Sequence, residues 1–137
     1  MANLTASRED NRQDDDLRLV KVGAVALFKG SIVCKNTAGY AVKGVDTASF
    51  TFTGIAFESV DNSAGAAGAL SARVWTAGTF ELNFSGTATQ ATEGLKVYVV
   101  DDNTVALAAT TTNDVQVGVV SEFVSANIVR VAITPNV

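Results

Sequence analysis

The chain has no histidine, one cysteine, one proline and one tryptophan among its 137 residues. Each shortage excludes something. Without histidine, the commonest general base and the commonest transition-metal ligand are both missing. A single cysteine rules out an internal disulfide framework, and Cys34, set between Val33 and Lys35 in a predicted strand, reads as a small buried apolar residue rather than a reactive thiol. With proline this scarce, turns fall to Gly, Asn, Asp and Ser. No apolar run approaches the roughly 20 residues of a membrane-spanning helix. The polar stretch from Ala2 to Arg18 has no signal-peptide core, so a soluble protein made in a cytoplasm is expected. Clustered positive charge is lacking too. The net charge is −4 with Lys and Arg scattered, which argues against a nucleic-acid backbone as partner.

What is present is a β pattern used twice. Gly94 lies 64 positions after Gly30, and the same offset pairs Val33 with Val97, Thr47 with Thr111, Gly54 with Gly118, Glu58 with Glu122 and Val60 with Val124. About ten short strands alternate with turn residues, and no run of ten or more has helical spacing, so the expected class is all-β, a small barrel or sandwich built from two related β units. Turns are expected at Thr37-Ala38-Gly39, at Ala77-Gly78 between strands Leu70 to Trp75 and Thr79 to Phe84, and at Asp101-Asp102-Asn103. In the strand Phe50 to Val60, Gly54 is placed where a bulge would swap the two faces.

Residues 1–18 differ from everything after them. They hold eight charged residues and only two large apolar ones, Leu4 and Leu17. Such a segment buries too little apolar surface to offset its own ordering entropy, so the expected division is an extended arm over 1–18 and a β body over 19–137.

The residues offer little for catalysis. Asp14-Asp15-Asp16 lacks the Gly turn and bidentate Glu of a calcium loop, and Gly65-Ala66-Ala67-Gly68 lacks the Lys-Ser/Thr of a phosphate loop. Glu58 and Glu122 hold equivalent places and could approach one another as the paired carboxylates of a glycosidase do, yet Arg73 and Arg130 lie where they would pair with these glutamates structurally. Trp75 reads as a core or interface anchor. No metal, cofactor or catalytic residue is expected.

The run V-D-N-S-A-G-A-A-G-A-L-S-A-R-V-W-T-A-G-T-F-E-L, Val60 to Leu82, resembles the capsid cement, or head decoration, proteins of tailed bacteriophages. The opening L-T-A-S-R, the lead-in V-G-A-V-A-L-F before G-S-I-V-C-K-N-T-A-G-Y-A-V, then Gly54-Ile55-Ala56, and Y-V-V-D-D-N-T-V-A followed by V-G-V-V, have counterparts there in the same order. The resemblance implies a structural virion protein without enzymatic activity or cofactor. It implies a homotrimer on the outer face of an icosahedral head, bound to the major capsid protein and stiffening the shell against internal pressure, with no nucleic-acid or membrane partner. On that basis the candidate intersubunit or capsid contacts are Leu4, Arg8, Arg12, Leu17 and Arg18 of the arm, together with Trp75. The alternative from another class is a receptor- or carbohydrate-binding β module on a virion surface, which calls for an exposed aromatic platform.

Overall fold

The computed structural model describes Ala6 and residues 16–135. Among these residues the chain forms β1 (Leu17–Lys21), β2 (Ala26–Leu27), β3 (Ile32–Lys35), β4 (Ala41–Lys43), β5 (Thr51–Ala56), β6 (Val60–Asp61) and β7 (Ser71–Trp75). There follow β8 (Thr79–Phe84), one 3₁₀ turn at Gln90–Thr92, β9 (Lys96–Val99), β10 (Thr104–Ala106), β11 (Gln116–Ser125) and β12 (Ile128–Ile133). The all-β class and the double β unit both hold.

The strands sort into two five-stranded assemblies and a two-stranded ribbon, β2–β6. The first has the order β1-β7-β5-β3-β4, and the second is a closed barrel in which β8, β12, β11, β9 and β10 follow one another and β10 returns to β8. The offset of 64 holds at the level of individual backbone pairs. Val33 faces Gly54 as Val97 faces Gly118, Cys34 faces Phe52 as Tyr98 faces Gln116, and Cys34 faces Val42 as Tyr98 faces Ala106. The turns repeat it: Gly30 N–H donates to Ala56 C=O, and Gly94 N–H to Val120 C=O.

The remaining strands correspond at other offsets. Ile55 and Ala56 face Trp75 and Val74, as Val119 and Val120 face Ala132 and Val131, so β7 matches β12. Arg18 faces Val74 as Phe80 faces Val131, so β1 matches β8. Even closure is shared. The parallel bridge from Val22 to Ala41 corresponds to the parallel pairing of Phe84 with Val105, making the first assembly a second barrel, held at its seam by that one bridge.

Two of the bulges, at equivalent places in the two units, have one cause. The ladder shifts register at Gly54 and at Gly118, and a Cβ on either glycine would collide with a backbone carbonyl, that of Trp75 or of Ala132. The extra residue swaps faces as the sequence leads one to expect, so Phe52 and Ile55, three apart, both join the main core.

That core spans both barrels, combining Ile32, Cys34, Phe52 and Ile55 with Leu82, Phe84, Val97, Val99, Val105, Val117, Val120 and Val129. The barrels are therefore one packed body. A smaller cluster fills the first barrel: Val22, Leu27, Val33, Ala41, Ala56, Ala72 and Val74.

Two sequence expectations change. Strands β7 and β8 do not pair with each other; Ala77-Gly78 is the link between the barrels, and the strands on either side find their partners at long range. The arm boundary at Arg18 falls within β1, where Leu17 pairs with Trp75 and Arg18 with Val74, because alternation that looks unremarkable in a polar segment becomes a strand once β7 lies beside it.

Candidate functional site

The acidic residues that could support chemistry are bound within the chain. Arg73 donates to Glu58 through Nε at 2.9 Å and through its backbone N–H at 3.0 Å. The guanidinium first, then the amide, hold the Glu58 carboxyl below its ordinary pKa. Arg130 makes the matching bond to Glu122 at 2.9 Å, with Glu81 at 3.7 Å. The two glutamates are thus occupied by separate arginines instead of forming a carboxylate pair, and the Glu58 shift is opposite to the upward shift a general acid needs.

Asp46 ties the barrels together. Its two carboxylate oxygens accept the backbone N–H groups of Thr112 at 2.8 Å and Asn113 at 2.9 Å. These bonds, the Thr112 amide above all, lower its pKa. Nearby, Ile32 N–H donates to Asp102 C=O at 2.6 Å, so the β9–β10 turn of the second barrel leans on the first. Cys34 is fully buried, and burial pushes its thiol up to about 11, which keeps it protonated and unreactive at neutral pH. Among the described residues no group of three or more His, Cys, Asp or Glu is placed to hold a metal.

Of the candidate contacts, Leu4, Arg8 and Arg12 lie outside the described residues. Leu17 and Arg18 sit on β1. Trp75 is half-buried at the end of β7, edge-on to Phe57 with ring centroids 5.2 Å apart and tilted against Phe80 at 6.4 Å. It packs against the main core and bridges the two barrels, which accounts for its size without a ligand. The structure brings Leu17 and Trp75 together, directly opposite in the ladder, and separates neither from the body.

The surface feature that sequence reasoning missed is a groove of about 420 Å³ at the seam of the first barrel. It is lined by Arg18, Leu19, Val20 and Lys21 of β1, Lys35 of β3, Ala38, Gly39 and Tyr40 of the β3–β4 turn, and Thr53 of β5. It exists because the seam is incomplete. In the second barrel, Asn83 N–H donates to Asn103 C=O at 3.1 Å, whereas no such bond joins the equivalent Lys21 and Gly39. The signal was available in the paired copies: Lys35 stands where the second unit has Val99, and Thr53 where it has Val117.

Set against protein-family models, curated proteins and solved structures, the chain has no match.

Proposed function

We propose that this chain is a structural protein that decorates the outer surface of a tailed-phage icosahedral head, binding the major capsid protein as a homotrimer and securing the shell against internal pressure. The observation that carries this is the ordered set of motifs resembling capsid cement proteins, above all Val60 to Leu82. Two physical features support it. The acidic side chains with chemical potential are consumed by internal pairs, which suits a scaffold. The two barrels share one core and are clipped by Asp46 and by the Ile32–Asp102 bond, so a load on one barrel is borne by both.

The test is co-sedimentation of the purified protein with undecorated, expanded heads of the encoding phage, counting copies bound per coat subunit. Saturation at a fixed ratio compatible with threefold sites is expected; no sedimentation with heads overturns the proposal. A truncation lacking residues 2–15 separates arm from body. It should keep its β circular-dichroism signal and melting while binding heads more weakly, since β1 is left intact.

A further inference from the structure

The two barrels present the same mouth in opposite states. In the second, four of the nine places corresponding to the groove lining are apolar: Leu82, Val99 and Val117 lie in the shared core, with Phe80 packed alongside. In the first, the same places hold Val20, Lys35, Thr53 and Arg18. Arg18, Lys21 and Lys35 are exposed there, and among the described residues no carboxylate lines the groove. Thr53 is the sharpest departure. It is 4 % exposed, it lines the groove, and among the described residues its hydroxyl has no hydrogen-bond partner. A buried orphan hydroxyl is destabilising because its lost hydration is not replaced, a penalty that valine in the same place avoids.

We propose that the open mouth of the first barrel is a docking site for an acidic segment of a partner protein, whose carboxylates meet Arg18, Lys21 and Lys35 while one acceptor of the segment takes the Thr53 hydroxyl. The charge balance selects this occupant. The chain as a whole is at −4, so a basic groove lined by three cations is a local inversion that draws an acidic chain. A nucleic acid would need a longer positive track than three residues supply. A lone phosphate would be held by convergent backbone N–H groups, whereas here the cations are spread along a groove that follows β1, whose seam edge has no ladder partner among the described residues. Among the described residues no bond joins Lys21 N–H to Gly39 C=O across the seam, which suits the backbone of an extended segment. The site is read on the isolated chain and does not depend on the head-decoration proposal.

The experiment is a backbone-amide NMR titration of the full chain at low salt with three probes: a synthetic peptide alternating Asp and Thr, its counterpart with Asn for Asp, and inorganic phosphate. The Asp peptide alone should give saturable shifts confined to residues 18–21, 35–40 and 53. Arg18→Gln combined with Lys35→Gln should weaken it by about tenfold or more. Thr53→Val should weaken it by about threefold while raising the melting temperature, because the orphan hydroxyl is removed. That opposite movement of affinity and stability is not produced by simple structural damage. Equal binding of the Asn peptide, shifts scattered over the surface, or an effect matched by phosphate alone would each overturn the proposal. So would binding that emerges only after Asp14, Asp15 and Asp16 are changed to Asn, which would make the chain's own arm the occupant.

Discussion

The first barrel is lined with alanine where the second is lined with valine. Ala41, Ala56 and Ala72 correspond to Val105, Val120 and Val129, and Val22 corresponds to Phe84. The first barrel recovers the lost volume from outside its sheet. Leu27, on the short ribbon β2–β6, is buried in its cluster with Val20, Val25 and Val60 beside it. The ribbon is held by a loop that the second barrel lacks. There the Asn62 amide, 2 % exposed, donates to the carbonyls of Val22, Gly23 and Ala66. One backbone register therefore supports two fillings: a self-sufficient valine barrel, and an alanine barrel completed by an inserted plug. The two units share bulge glycines and backbone hydrogen bonds, while their side chains differ enough to give one covered mouth and one open one.

The largest expected effect tests the shared part of that comparison. Gly54→Val and Gly118→Val each force a side chain into a neighbouring carbonyl, so each should cost about 3 kcal/mol or more in urea unfolding, and by similar amounts. If one barrel tolerates the change, the bulges are not equivalent. Next come the fillings. Val129→Ala should cost about 2–3 kcal/mol by leaving a cavity, whereas the reciprocal Ala72→Val should cost about 1–3 kcal/mol by overpacking against the Leu27 plug. A stabilising Ala72→Val would mean that the first barrel is underfilled.

Asn62→Ala should cost about 2 kcal/mol, since the carbonyls of Val22, Gly23 and Ala66 each lose one of two donors and keep only a backbone N–H, and amide exchange should quicken in β2 and β6 but not in the second barrel. The smallest effect lies at the clip between barrels. Asp46→Ala should lower stability by less than about 1 kcal/mol, because the carboxylate is near solvent and screened. The folded-state pKa of Asp46, like that of Glu58, is depressed, so the stability each contributes is full above the ordinary carboxylate range and is lost as pH falls through the lower folded value. The acid limb of a pH-stability curve should flatten in the Asp46→Ala variant. An unchanged limb would show that the clip carries no charge-linked stability.

Much of the frame is legible in the sequence because it depends on local signals. Glycines at a fixed spacing, alternating strands and polar turns place β3, β4, β5 and their counterparts. Beyond Glu58 the register slips, since the loop around Asn62 makes the first unit longer, and a constant offset cannot follow β7 onto β12. The junction at Ala77-Gly78 carries the same local chemistry as a hairpin turn, and only the pairing of β7 with β5 and of β8 with β12 tells them apart. The ion pairs Glu58–Arg73 and Glu122–Arg130 follow from matched positions and are found. The groove is harder to see, because Arg18, Lys21, Lys35, Tyr40 and Thr53 come from three separate stretches and converge only when the seam closes incompletely.

That these are two barrels of one design with only one mouth sealed is best tested by hydrogen exchange at two equivalent amides in the free protein. Asn83 N–H is bonded to Asn103 C=O and Lys21 N–H has no such partner, while Gly23 and Ser85 donate to Ala41 and Val105 alike and serve as controls. Slow exchange is expected at Asn83, Gly23 and Ser85, and fast exchange at Lys21. Equal protection of Lys21 and Asn83 would show that the first seam is closed in solution and would contradict the open mouth.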